Sequence, residues 1–144
     1  MLYANHVHQE LFNDYCLRGC LVEAKQLWMN LVGLKLDTAF KMVSLTASIT
    51  TSINTFEPMI VWLLSLNQLS LETVERTFSR AAAKGNTTYI DMMHNLNQNL
   101  DRHTAPYYLD EYVYIHSLLQ ATKNNQTNMV QHLLDIYPLL NQYK

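Results

Sequence analysis

Glycine and proline, the residues on which tight turns depend most, are scarce in this chain, which has three of each among 144 residues. A β-sheet protein needs a turn about every ten residues, and most such turns draw on these two residue types. Leu, Met, Ala, Gln and Lys, which favour helices, are plentiful. We therefore expect an all-α fold.

Charge and apolar content narrow the classes of function. Ten basic residues stand against twelve acidic ones, so the chain lacks the basic surplus of nucleic-acid-binding proteins. Hydrophobic residues make up 49 % of the chain, which is too many for a disordered protein. The N-terminal segment lacks the pattern of a secretory signal, and no apolar run has the length of a membrane span. We expect a cytoplasmic protein, with neither nucleic acid nor membrane as a partner.

A helix–turn–helix pattern recurs along the chain. Gly19 follows Arg18 and Gly85 follows Lys84, and at both places an apolar helix is expected after a few further residues. The two glycines are 66 residues apart, which is twice 33. Asn125 occupies the corresponding place near the C-terminus, and Asn is the usual substitute for Gly in a left-handed helix cap. This self-similarity predicts a repeat architecture.

The repeated turn resembles the inner turn of an ankyrin repeat. A helix ends in a basic residue and Gly, and the next helix reads Val-x-Ala-Lys-x-Leu at 22–27 or Met-Val-x-x-Leu-Leu at 129–134. The resemblance covers most of the chain and implies one domain over 1–144, an ankyrin-like α-solenoid made of helix–turn–helix repeats. About four irregular helix pairs are expected, at 8–31, 37–66, 70–97 and 107–137.

Local signals place some helix starts. Ser70 is expected to cap the helix that follows it, since its hydroxyl can accept a hydrogen bond from a free backbone amide. Pro58 is expected in the first turn of its helix, behind a Thr55 cap, where the missing amide hydrogen does least harm. The polar stretch 97–106 is expected to form a surface loop.

Residues that could carry catalysis are scattered. Cys16 and Cys20 are expected to be buried reduced thiols, and none of the six histidines has metal-ligand spacing. Asp91 and His94 lie three apart on a helix, where they are expected to form a surface pair. We therefore expect no catalytic residue, no metal and no cofactor. Two alternatives stay open: a small helical enzyme that uses a metal or a Cys/His pair, and a compact dimeric structural protein.

The resemblance to ankyrin repeats implies binding of another protein. In such stacks the first helices and the connecting fingers line a concave surface that holds partners. On the first helix of the third pair, Arg76 and Arg80 follow Glu72 at intervals of four and would face an acidic patch. The fingers and the long loop contribute further candidates, which are Lys35, Asn67, Gln68, Arg102 and His103.

A tyrosine cluster adds contact candidates at the start of the fourth pair. Tyrosine offers a large rigid area and one polar tip, which suits protein interfaces. Tyr107, Tyr108 and Tyr112 are therefore predicted as contact residues, whereas Tyr114 is predicted to lie in the core.

Together these features predict a non-catalytic protein–protein interaction module that serves as an adaptor, inhibitor or targeting subunit. Its oligomeric state stays open. Abundant Asn and Tyr with few Gly and Pro indicate an AT-rich genome, as in many intracellular bacteria and large viruses. A module from such a source would act as an effector on a host protein.

Overall fold

A computed structural model describes residues 2–50, 53–101, 105 and 107–143. These residues form eight helices and little strand, which confirms the all-α prediction. The helices are α1 (His6–Leu17), α2 (Leu21–Asn30), α3 (Asp37–Thr50), α4 (Ile53–Ser65), α5 (Leu71–Ala83), α6 (Thr87–Gln98), α7 (Glu111–Lys123) and α8 (Thr127–Ile136). A 3-10 helix over Pro138–Tyr143 follows α8. The strands β1 (Leu2–Tyr3) and β2 (Leu31–Val32) pair in parallel.

Three helix pairs are joined by the same turn. Gly19, Gly85 and Asn125 each follow the first helix of a pair with a positive φ, of 74°, 75° and 58°. In each turn the next amide bonds to the carbonyl five residues earlier, as from Cys20 to Tyr15 at 2.8 Å. This is the Schellman arrangement, which gives donors to the free carbonyls at a helix end. The prediction that Asn125 keeps the chemistry of the glycine turn is confirmed.

A buried leucine precedes the first helix in three pairs. Leu36 lies before α3, Leu69 before α5 and Leu109 before α7. These leucines are 33 and 40 residues apart, and Gly85 and Asn125 are also 40 residues apart. Between the last two of these pairs, the helix start and the interhelical turn are therefore displaced by the same 40 residues.

One prediction about helix starts agrees with the structure and one is wrong. Helix α5 begins at Leu71, directly after Ser70. Pro58 lies inside α4 and not in its first turn, because the helix already begins at Ile53. Proline has no amide hydrogen, so α4 lacks one of its backbone hydrogen bonds.

The chain divides into two compact units, residues 1–70 and 71–144. The single domain predicted from the sequence stays a prediction. In the first unit, the ring of Phe12 packs 6.1 Å from that of Trp28 and 6.2 Å from that of Trp62. Phe12 is fully buried, so the two tryptophans pack on the core rather than standing in solvent.

The second unit contains α5 to α8. Ser79 on α5 contacts Ser117 on α7 at 3.1 Å, and Asp91 on α6 contacts His132 on α8 at 2.5 Å. Helix α5 therefore neighbours α7, and α6 neighbours α8. The buried ring of Tyr114 on α7 stacks on the ring of Tyr137, which follows α8, with 4.6 Å between the ring centres.

Each unit holds one interhelical segment by a side-chain amide that bonds to both polar groups of a backbone residue. In the first unit, Gln9 accepts from the Lys35 amide at 2.8 Å and donates to the Lys35 carbonyl at 2.9 Å. In the second, Asn97 accepts from the Leu109 amide at 2.7 Å and donates to the Leu109 carbonyl at 2.9 Å. The first of these pairs is exposed and the second is buried. Each set of hydrogen bonds holds the backbone two residues before a helix, α3 in the first unit and α7 in the second.

Candidate protein-binding groove

Helices α5 and α7 border a surface depression in the second unit. Its two parts have volumes of about 250 and 320 Å³ and share Arg76, Ser79 and His116. Early residues of α5 adjoin early residues of α7, and late ones adjoin late ones, so the helices run in the same direction. We call this depression the α5–α7 groove. Its lining residues are Glu72, Glu75, Arg76, Ser79, Arg80, Ala83, Tyr112, Val113, His116 and Gln120.

Two buried serines allow α5 and α7 to approach each other beneath the groove. The Ser117 hydroxyl donates to the Val113 carbonyl at 2.7 Å. Because a hydroxyl carries a single proton, the 3.1 Å contact between the two serines must be donated by Ser79. The oxygen of Ser79 keeps acceptor capacity, and Ser79 lines both parts of the groove.

The α5 wall carries three charges at intervals of four residues. Glu72 and Arg76 form an ion pair at 2.5 Å, with most of both side chains in solvent. Such an exposed pair contributes about 0.2–1 kcal/mol to stability. Arg80 is exposed, and no carboxylate among the described residues pairs with it. The prediction that these three residues share an exposed face of α5 is confirmed. Arg80 is the one of the two arginines that has no counter-charge among the described residues.

Glu75 lies half-buried in the same wall, close to other carboxylates. Partial burial raises the pKa of Glu75 above its ordinary value, and the nearby charges of Asp110 and Glu72 raise it further. All three causes disfavour the charged form, because they remove water and add negative potential. The end of the groove near the start of α5 is therefore acidic.

The α7 wall is aromatic and polar. Tyr112 is 79 % exposed, and His116 and Gln120 follow it at intervals of four on the same helix face. A tyrosine this exposed can cover an apolar side chain of a bound segment and keep its hydroxyl in water. The two walls thus offer different chemistry to a ligand.

The structure brings together three of the residues predicted as partner contacts, Arg76, Arg80 and Tyr112. Sequence reasoning missed Glu75 and Ser79 in the same groove. Glu75 comes three residues after Glu72 and Ser79 three residues after Arg76, and residues three apart share a helix face. The helical spacing of this segment was therefore the signal that could have found them.

Three predicted contacts lie in the other unit. Lys35, Asn67 and Gln68 are all exposed, and Asn67 has a left-handed backbone, with φ 55°. Gln68 borders a separate depression of about 470 Å³ that also includes the 73 % exposed Met29 and Trp28. These residues do not line the α5–α7 groove.

The remaining predicted contacts have different outcomes. Tyr107 is only 7 % exposed, so its prediction as a contact residue is corrected: it packs inside and offers a partner almost no surface. Tyr108 is half-buried, and Tyr114 is buried as predicted. Arg102 and His103 lie outside the described residues.

A buried polar network lies between α6 and α7. The Gln98 amide donates to Nε2 of His94 at 3.0 Å, so the proton of the neutral ring is on Nδ1, which donates to the Tyr114 hydroxyl at 2.7 Å. Burial lowers the pKa of His94, while the charge of Asp91 raises it and that of His132 lowers it. His94 is therefore a neutral structural histidine in this network.

Other groups with possible chemistry have structural surroundings. Asp91 pairs with His132 on α8 and not with His94, which corrects the predicted pair on α6. Burial raises the pKa of the Cys16 thiol to about 12, so it stays protonated at neutral pH and is a poor nucleophile. Among the residues with described positions, no three His, Cys, Asp or Glu side chains converge as metal ligands would.

Comparisons with protein-family models, curated proteins and solved structures return no match to this chain. Within the described ranges, none of the helices combines the length and the apolar character that crossing a bilayer requires.

Proposed function

We propose that the chain is an ankyrin-like helical-repeat module that binds another protein through the α5–α7 groove and has no catalytic activity of its own. It acts in the cytoplasm as an adaptor, inhibitor or targeting subunit. The observation that carries this proposal is the meeting of Arg76, Arg80 and Tyr112 in one groove, after each was singled out from the sequence as a partner contact.

The repeat part of the proposal rests on backbone geometry. The same left-handed turn occurs at Gly19, Gly85 and Asn125 with matching hydrogen bonds, and a buried leucine precedes the first helix in three pairs. In a repeat stack each pair buries its apolar stripe against its neighbours, so first helices line up along one surface. The parallel course of α5 and α7 supports this arrangement.

The binding part rests on the character of the groove. Protein-binding surfaces favour Arg and Tyr as anchors because these side chains bury large areas and keep polar groups that can pair. Here both residue types stand exposed above a floor held by buried serines. Ser79 and Ser117 fix the distance between the walls, so little ordering is needed on binding.

The direct test is affinity purification from cell lysate with the tagged full chain, quantified by mass spectrometry. The charge-reversal variant Arg76→Glu/Arg80→Glu is compared with Lys25→Glu/Lys41→Glu, which reverses two exposed cations in the other unit and changes the net charge equally. We expect one stoichiometric partner with the wild type and the control, and its loss with the groove variant. Equal recovery with both variants, at wild-type thermal stability, would contradict the proposed surface.

A further inference from the structure

We propose that the occupant of the α5–α7 groove is an extended segment of a partner protein with one basic and one acidic side chain at a fixed spacing. This inference rests on the proposed function, and it names the chemistry of the partner. It differs from the simple acidic patch expected from the sequence, because the groove is acidic at one end and basic at the other.

The acidic end centres on Glu75. This carboxylate is half-buried on the floor side of the α5 wall, with Glu72 and Asp110 near enough to oppose its charge. Glu72 is already paired with Arg76, whereas no cation among the described residues pairs with Glu75. A Lys or Arg of the partner placed here relieves the repulsion of three carboxylates and gains a partly desolvated charge pair.

The basic end centres on Arg80. Arg76 shares its charge with Glu72, so Arg80 is the cation of the groove that has no counter-charge among the described residues. A guanidinium can hold a carboxylate through two parallel hydrogen bonds, which favours Asp or Glu of a partner at this position. The groove continues past it to Ala83 and Gln120, which leaves room for further residues of the segment.

The two ends are separated both along α5 and around it. Glu75 and Arg80 are five residues apart, which at about 1.5 Å and about 100° per residue is roughly 7.5 Å along the helix axis and roughly 140° around it. The basic and acidic side chains of the ligand must therefore stand apart from each other, at one fixed spacing. A helical ligand bonds its backbone amides internally, whereas an extended segment leaves them free to donate to the groove.

The rest of the groove suits an extended backbone. The Ser79 oxygen lies on the floor between the two ends and can accept a hydrogen bond from a peptide amide. Tyr112 on the opposite wall can cover a neighbouring apolar side chain. The two charges position the segment, Ser79 bonds to its backbone, and Tyr112 covers a flanking side chain.

The test is a selection of random twelve-residue peptides displayed on phage against the full chain. It is run in parallel on the wild type, on the swap Glu75→Arg/Arg80→Glu, and on the control swap Glu23→Arg/Lys25→Glu, which exchanges two exposed charges on α2. We expect peptides from the wild type and the control to share a basic and an acidic residue at one spacing. Peptides from the groove swap should carry the same pair in the opposite order along the chain.

Synthetic peptides from the wild-type selection are then titrated against single variants that remove one charge and add no bulk. Loss of one charge-assisted hydrogen bond predicts about tenfold weaker binding to Glu75→Gln and to Arg80→Gln. Circular dichroism checks that each variant is folded.

Three results would overturn the inference. Acidic peptides that need Arg80 but ignore Glu75→Gln would refute the paired charges and leave the groove as the binding surface. Selected peptides that become helical on binding, as seen by circular dichroism, would refute the extended conformation. Failure to enrich any peptide, or peptides whose binding no groove substitution alters, would count against the proposed function as well.

Discussion

Replacing Asn97 by alanine measures what one buried amide contributes to the second unit. Asn97 is 7 % exposed and satisfies both the amide and the carbonyl of Leu109, at 2.7 and 2.9 Å. Alanine would leave two buried backbone groups without these partners, and each such loss costs about 1–3 kcal/mol. We expect the free energy of unfolding to fall by roughly 2–6 kcal/mol. Urea denaturation followed by circular dichroism measures this loss.

The matched control is Gln9→Ala in the first unit. Gln9 makes the same two hydrogen bonds to Lys35, but in solvent, where water replaces them. We expect a loss below about 1 kcal/mol. Amide hydrogen exchange gives a local check, since the Leu109 amide should lose its protection in Asn97→Ala. Equal losses for the two variants, or an unchanged exchange rate at Leu109, would refute the argument from burial.

Three further predictions concern backbone, pH and thiol reactivity. Gly85→Ala should lower the thermal midpoint, because its φ of +75° strains any residue with a Cβ, whereas Asn125→Gly at φ 58° should raise it. Because burial lowers the pKa of His94, the unfolded chain takes up the proton first. Urea denaturation should therefore show stability lost as pH falls from about 6.5, and less so in His94→Gln. A thiol reagent followed by mass spectrometry should modify Cys20 well before the fully buried Cys16. A higher midpoint for Gly85→Ala or a lower one for Asn125→Gly would contradict the first prediction. Stability that rises as the pH falls, or labelling of Cys16 before Cys20, would contradict the other two.

The fold class and the turns could be predicted because they depend on local chemistry. Few residues besides Gly and Asn adopt a left-handed backbone readily, so Gly19, Gly85 and Asn125 marked the turns directly. The prediction for Pro58 was wrong because proline is favoured in first turns but also tolerated further inside a helix whose other residues are held by their surroundings. Helix boundaries are decided by such tertiary contacts as well as by local sequence.

The candidate groove could be predicted only in part. Periodicity on one helix placed Arg76 and Arg80 on a polar face, but the facing wall comes from α7, forty residues later. Which residues of that helix meet the groove depends on how α5 and α7 pack. Tyr107 shows the same limit, since it stands beside surface tyrosines in the sequence and is turned inward by the fold. Asp91 likewise pairs across helices and not with its neighbour on α6.

The most direct test of the central claim is a nuclear magnetic resonance titration of the isotope-labelled full chain with a peptide selected on the wild type. We predict that the largest amide shift changes fall on α5 from Glu75 to Ala83 and on α7 from Tyr112 to Gln120. Shift changes centred on the exposed Met29 and the depression beside it would place the binding surface in the other unit and contradict the claim.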